Sequence, residues 1–362
     1  MHLVINATEV GRGRGGNETY IAGLTKGLSA LPSPPETSLL ISGWEPAPAF
    51  PSGFRQVNLG AYRQLPFFLW QQTVALHQME ADWYLSNYYL PPLLPCKGAV
   101  VVHDLSFRAA PEYFPLAVAW YMRLLAGLAI RLSERVVTVS AFSRQELLRF
   151  YPAAAGKVCL VPNGVGSEFR PYLDDGMVQA DQESLSHYSV AAPYILAVGN
   201  IHPRKNLSRL LDAYLYLRKH RSSIPEMVWV GAPRWGSGEL LERARSAGVV
   251  LTGFVAQEDL PAFYRGATML VYPSLYEGFG LPPAEAMACG TPVVTSNTTS
   301  LPEVVGQAAL TVDPTDLEAL SGAMGRLLDD AALRKELSEA GIKRAQRYTW
   351  ARTARELLAA LQ

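Results

Sequence analysis

The sequence predicts an α/β protein of two domains, each a parallel sheet flanked by helices. Three observations carry this. The chain has 362 residues and 49% hydrophobic content, too long for one ordinary core and well able to bury two. Short apolar runs alternate with amphipathic stretches of helical length, the pattern of βα units. The alternation stops once, between Gly166 and Ala192, and then restarts.

In the first half, apolar runs read as strands at 3–7, 38–42, 82–86, 99–103, 135–140 and 157–162. Helical periodicity appears at 17–31, 67–79, 115–132 and 141–150. From 166 to 192 the chain carries Pro171, Asp174-Asp175-Gly176 and polar residues without a sustained period, and is expected to be a linker. Strands resume at 194–199, 227–231, 249–252, 269–272 and 292–295. The expected domains are therefore 1–165 and 193–349, both Rossmann-like, facing each other across a cleft at the carboxyl ends of their sheets.

Composition narrows the function. Lys plus Arg and Asp plus Glu number 32 each, so no global field draws the protein to nucleic acid. Cys96, Cys159 and Cys289 are odd in number and far apart, as free thiols in a reducing, cytoplasmic compartment would be. The run 1–7 lacks a basic lead and ends in a glycine loop, which fits a first strand better than a secretory leader. No apolar segment reaches spanning length, since 115–132 is interrupted by Arg123 and closed by Arg131.

The most informative stretch is Glu277-Gly278-Phe279-Gly280-Leu281-Pro282-Pro283-Ala284-Glu285-Ala286-Met287. It sets two carboxylates, natural partners for vicinal hydroxyls, on either side of a glycine turn that starts a helix. The glycines permit close backbone approach, and amides at a helix start bind phosphate. Hydroxyls and phosphate together suggest a nucleotide sugar. Upstream, Arg204-Lys205 follows the strand 194–199 at a turn into a helix. Cations are disfavoured at a helix start unless an anion is near, and a planar fork beside a movable point charge suits a diphosphate.

Two features of the first half are less specific. His103 ends a strand in His103-Asp104-Leu105-Ser106-Phe107, where a lone histidine serves either packing or chemistry; Asp104 is placed to orient its ring. Gly11-Arg12-Gly13-Arg14-Gly15-Gly16 satisfies G-x-G-x-x-G, but a dinucleotide site wants an acidic residue ending the second strand, and Ser42-Gly43-Trp44 stands there. An aromatic-rich region, Phe67-Phe68-Leu69-Trp70 with Trp83-Tyr84-Tyr88-Tyr89, reads as core, with sugar stacking or shallow contact with a lipid carrier as the alternative.

With these residues the sequence resembles the retaining glycosyltransferases of family 4, which have the GT-B fold. Their signature is Glu, seven residues, Glu within E-G-F-G-L-P-x-x-E-A-M, and every fixed position is matched at 277–287. The resemblance implies that Glu285 binds ribose hydroxyls and that Glu277 lies near the transferred sugar, with the amides of Phe279, Gly280 and Leu281 completing the pocket. It places Lys205 on the donor diphosphate. Asn200 stands where an arginine is frequent, so Arg204 is the candidate for the second clamp. The segment ending at Val255 resembles the one that reads the base, Gly15 and Gly16 would offer amides to the donor, and His103 would contact the transferred sugar. A helix at 350–362 should return to the first domain.

The implied function is metal-independent, cofactor-free transfer from a nucleotide-diphosphate sugar, GDP-mannose or a UDP-sugar, to a glycan or lipid-linked acceptor. In the family the leaving diphosphate helps deprotonate the acceptor, so no protein nucleophile is required. The protein would be cytoplasmic, with peripheral association at the inner face of the membrane. A GT-B sugar-nucleotide epimerase and a non-catalytic nucleotide-binding subunit are the alternatives. Retention of both His103 and Glu277 weighs against the second.

Overall fold

Runs such as Ala99-Val100-Val101-Val102, apolar at every position, suit strands covered by helices on both faces. The computed structural model, which describes residues 1–11, 15–43, 50–60, 70–233 and 237–362, shows such strands in both of its units. One unit comprises 1–164 with 349–362, and the other 165–348.

In the first unit, β1 (His2–Asn6), β2 (Glu36–Ile41), β3 (Arg55–Asn58), β4 (Trp83–Asn87), β5 (Lys97–Val102), β6 (Arg135–Thr138) and β7 (Val158–Leu160) form a parallel sheet in the order β3-β2-β1-β4-β5-β6-β7. Side-chain alternation divides its core. Leu3, Ile5, Leu85 and Val101 pack with the helices Gly16–Ser29 and Trp350–Leu361, while Val4, Tyr84, Val100 and Val136 pack on the opposite face.

The C-terminal helix joins this unit through a close approach that only glycine allows. A Cβ on Gly23 would lie 2.0 Å from Trp350 Cε2, and one on Gly27 would lie 2.2 Å from the Trp350 carbonyl oxygen. Trp350 is 7% exposed, and Thr349 caps its helix by accepting from the Arg352 amide.

In the second unit, β8 (Tyr194–Val198), β9 (Glu226–Val230), β10 (Val250–Gly253), β11 (Ala267–Tyr272), β12 (Val293–Ser296) and β13 (Leu310–Val312) run parallel in the order β10-β9-β8-β11-β12-β13. Both sheets reverse direction of growth once, between β1 and β4 and between β8 and β11. At such a reversal the loops leaving the carboxyl ends diverge and leave a crevice where ligands bind.

Two expectations change. The stretch 166–192 is not an element-free linker. It holds the helix Asp175–His187, capped by Asp174, and belongs to the second unit. The apolar period is broken because a buried inward position is Asp181, neutralised by Arg265 at 2.7 Å. Two strands also escape the apolar pattern: β3 is a polar edge strand, and β13 is a three-residue edge. The aromatic region divides: Trp83, Tyr84 and Tyr88 are core at 5%, 0% and 7% exposed, whereas Trp70 is 64% exposed; Phe67, Phe68 and Leu69 lie outside the described residues.

Candidate active site

In the second unit the loops that follow β8 and β11 carry the motif residues. Gly199 leaves β8 with φ +130°, and a Cβ on Gly231 would lie 2.1 Å from its carbonyl oxygen, so two glycines allow the neighbouring strand ends to meet. A 3₁₀ turn, Pro203–Lys205, then presents the two cations. Asn206, at φ +57°, ends it and donates to the carbonyls of Pro273 (3.1 Å) and Pro314 (2.7 Å), fastening this loop to its neighbours.

The cations converge on Glu277, which is 6% exposed. Lys205 Nζ donates to Oε1 at 2.6 Å and also to the Tyr272 hydroxyl. Ser274 Oγ (2.5 Å) and Tyr272 Oη (2.9 Å) donate to the same Oε1. Arg204 Nη1 lies 3.5 Å from Oε2 and donates to the Tyr276 carbonyl at 3.1 Å. Burial alone would raise the Glu277 pKa. The charges of Lys205 and Arg204, with the Lys205 and Ser274 hydrogen bonds, overcome that and hold it at about 2.

Downstream, Gly280 at φ +111° turns the chain into the helix Leu281–Ala288. A Cβ there would lie 2.7 Å from Leu301 Cδ2. Ser300 Oγ sits 2.9 Å from the Glu277 carbonyl and 2.8 Å from that of Phe279, pinning both ends of the glycine turn. The helix start offers fewer amides than expected, because Pro282 and Pro283 occupy its second and third positions and bring no N–H. The N–H groups at this turn are those of Phe279, Gly280 and Leu281.

Glu285 is 5% exposed and accepts from Tyr264 Oη at 2.7 Å. Burial raises its pKa to about 7, the Tyr264 hydrogen bond opposing and the Glu168 charge assisting. Asn200 and Leu281 are half-buried, and Val255 and Phe279 are 7% and 5% exposed, Phe279 meeting Tyr348 edge-on at 5.3 Å.

In the first unit His103 follows β5. Its Nε2 is 3.0 Å from Asn87 Oδ1, at the end of β4, and its ring meets the edges of Tyr20 (4.8 Å) and Tyr88 (5.8 Å). Asp104 Oδ1 accepts from the Ser106 amide (2.9 Å) and hydroxyl (2.6 Å) and so closes the following turn, while the hydrogen-bond partner of the ring Nε2 is Asn87. Burial lowers the His103 pKa to about 4 against the Asp104 charge. Gly15, at φ +89°, and Gly16 open the first helix; Arg12 and Arg14 lie outside the described residues.

Two family models match. The one described as "Glycosyltransferase Family 4" matches residues 14–169, and the one described as "Glycosyl transferases group 1" matches 192–330. The chain is 36% identical to an O-antigen chain mannosyltransferase B of Escherichia coli over 269 residues, covering 73% of this chain and 69% of that one. The chain belongs to glycosyltransferase family 4.

A relative from Mycolicibacterium hassiacum, an MMP alpha-(1->4)-mannosyltransferase, is 31% identical over 68% of this chain and 58% of its own. Among solved structures, a sucrose-phosphate synthase from Thermosynechococcus elongatus superposes with a TM-score of 0.77 at 22% identity, covering 99% and 100% of the two chains. WaaG, a glycosyltransferase involved in lipopolysaccharide biosynthesis, gives 0.75 at 15% identity over 99% and 98%. HepE of Anabaena, solved with UDP and glucose, gives 0.74 at 16% over 100% and 99%. The fold is GT-B, and the protein is a glycosyltransferase.

For this family 4 enzyme the structure brings Arg204, Lys205 and Glu277 into one cluster, although the sequence assigned the cations and the carboxylate to separate tasks. A buried carboxylate needs counter-charges, and these two supply them. The reading of single motifs missed Tyr272, Ser274, Tyr264 and Asn87, the polar partners of the motif residues. Tyr272 and Ser274 were within reach as a Tyr-Pro-Ser run closing β11, while Tyr264 and Asn87 carry no local signal.

Proposed function

We propose that the enzyme transfers a mannosyl or related hexosyl group from GDP-mannose or a UDP-sugar to a glycan or lipid-linked acceptor, retaining anomeric configuration and using no divalent metal. The observation that carries the reading is the Arg204–Glu277–Lys205 cluster at the reversal between β8 and β11. Two fixed cations against one carboxylate leave a net positive site for a diphosphate. Preorganised donors of this kind contribute about 10²–10³ in rate each.

In this reading Arg204, Lys205 and the turn amides hold the leaving diphosphate as charge develops on it, and that diphosphate accepts the acceptor's proton. Glu285 takes the ribose hydroxyls, with Tyr264 fixing one of its oxygens. Glu277, held ionised, takes hydroxyls of the transferred sugar, and His103 contacts the same sugar. Asn200 and Val255 border the nucleotide, and Gly15 and Gly16 offer amides. The remaining aspartates near the motifs have other work: Asp174, Asp316 and Asp330 cap helices, Asp313 accepts from Thr315, and Asp329 pairs with Arg221 at 2.6 Å.

The mannosyltransferase names of the relatives favour mannose, and they favour transfer over epimerisation or non-catalytic binding. The absence of disulfides among the three free cysteines fits a cytoplasmic location, with peripheral association at the inner membrane face. The test is incubation with α-linked GDP-mannose or UDP-hexoses, an oligosaccharide acceptor and EDTA, with product anomer read by NMR. An α-linked product supports the reading. A β-linked product, or an epimerised donor formed without acceptor, contradicts it.

A further inference from the structure

The helix Leu116–Leu132 is built inside out. Its buried residues are Ala119, Ala126, Ala129 and Ile130. Six of its large side chains face solvent instead: Leu116, Trp120, Leu124, Leu128 and Leu132, each four residues from the last, are 78, 69, 70, 38 and 38% exposed, and Tyr121 beside them is 45% exposed. On a helix of 3.6 residues per turn this spacing makes one slowly winding apolar stripe. Such a stripe amounts to roughly several hundred Å² of contiguous apolar surface, the size at which a patch marks an interaction site.

Charge says what covers it. The helix contains Arg123 and Arg131 and no acidic residue, and the segment 105–157 carries seven basic residues against three acidic ones in a chain with no net charge. The fold gathers several of these cations around the helix. Lys157 Nζ donates to the carbonyls of Arg131 (3.2 Å) and Ser133 (2.7 Å) at its C-terminus. Arg108 lies over the rings of Phe150 (5.1 Å) and Tyr151 (4.9 Å), and a Cβ on Gly127 of the helix would be 3.5 Å from Tyr151. Of the acidic residues, Glu146 is paired with Arg149 at 3.1 Å.

We propose that this helix lies flat in the interface of an anionic lipid bilayer, with Leu116, Trp120, Leu124 and Leu128 among the acyl chains and the surrounding cations at the headgroups. The inference rests on the peripheral-membrane part of the proposed function and assigns it a surface. Seventeen residues span about 25 Å of helix, less than the ~20 residues a crossing needs, and among the described residues no helix is long and apolar enough to cross. An apolar face bordered by Arg and aromatic side chains is the pattern of interfacial helices. A second copy of the chain fits less well, because pairing the stripe with itself brings Arg123 and Arg131 of both copies together with no carboxylate on either helix.

The docked helix is coupled to the carboxyl end of β5 by direct contacts. Arg123 Nε donates to the Phe107 carbonyl at 3.2 Å, the Phe107 ring meets Tyr88 at 6.1 Å, and Tyr88 meets His103. Docking would thus hold the His103 region a few side chains from the lipid surface that carries a lipid-linked acceptor.

Cosedimentation of the full chain with phosphatidylglycerol-containing vesicles and with pure phosphatidylcholine vesicles tests this. The expected result is binding to the anionic vesicles that weakens with salt, falls at least about 10-fold in Trp120→Ser/Leu124→Gln, and weakens in Arg131→Glu. Nucleoside diphosphate affinity and Tm of these variants should match the parent, since the replaced side chains are exposed. No preference for anionic vesicles, binding unchanged in the double variant, or a stripe-dependent dimer without vesicle binding would each overturn the proposal. Transfer to a soluble oligosaccharide, assayed in parallel, reads the transferase activity separately.

Discussion

Lys205 Nζ lies 2.6 Å from Glu277 Oε1, joining the loop after β8 to the loop after β11 across the reversal of strand order. The two side chains are 13% and 8% exposed, so each neutralises the other's buried charge. Removing one partner of such a pair strands the other and costs about 3–5 kcal/mol. Lys205→Ala should therefore lower stability by about that much, and Lys205→Ala in a Glu277→Gln background by far less. Chemical denaturation of the four proteins measures the coupling. Additive losses would show that the contact is energetically idle.

The same pair sets an acid limit. The Glu277 pKa is depressed from 4.5 to about 2, so the ionised group contributes stability above pH 4.5, and that contribution is lost as pH falls towards 2. Unfolding curves between pH 6 and 3 should lose less stability in Glu277→Gln than in the parent. Parallel curves would remove Glu277 from the acid transition.

Glu285 behaves oppositely. With its pKa raised to about 7, it is increasingly ionised between pH 6 and 8, and a carboxylate accepts ribose hydroxyls better than a carboxylic acid. Affinity for a sugar nucleotide, whose diphosphate diester does not titrate in this range, should rise with pH through 7. Glu285→Ala should weaken sugar nucleotide and free nucleotide alike by about 1.5–3 kcal/mol. Calorimetric titration reads both, and a pH-independent affinity in the parent would count against the assignment.

Asn87 Nδ2 faces the Asn17 carbonyl at 3.4 Å, which leaves Oδ1 to accept from His103 Nε2–H. The imidazole is thereby held neutral with its proton on Nε2, and its pKa of about 4 keeps it so at neutral pH. His103→Ala should reduce kcat by about 10²-fold or more while the Kd for nucleoside diphosphate stays within about 2-fold. Asn87→Asp should raise the histidine pKa and bring a new ionisation into the pH profile. Nitrogen shifts of labelled histidine report the tautomer directly, and a proton on Nδ1 in the parent would contradict the arrangement.

Much of this was legible in the sequence because parallel strands buried on both faces are apolar at every position, as in Tyr194–Val198, and because the Glu277–Glu285 motif is local. What escaped depended on distant partners. Asp181 hides a helix because its charge is cancelled by Arg265, eighty-four residues away. Tyr264 reaches Glu285 from another helix, and Asn87 reaches His103 from an adjacent strand. The stripe on Leu116–Leu132 reads as an ordinary amphipathic pattern, since periodicity identifies an apolar face without saying which way it points.

The proposed metal independence rests on the fixed charges of Arg204 and Lys205, which together supply roughly what one divalent ion would. Transfer should persist in excess EDTA. Loss of activity on chelation and its return with Mn²⁺ would show that a metal, not the cation pair, stabilises the leaving group.

The cation pair itself is tested most directly by titrating a nucleoside diphosphate and the matching monophosphate, GDP with GMP or UDP with UMP, against the parent and against Arg204→Ala/Lys205→Ala. The parent should prefer the diphosphate by about 100-fold, equivalent to about 2.7 kcal/mol, and the double variant should lose most of that preference while still binding the monophosphate. A preference for the diphosphate that survives in the double variant would contradict the account.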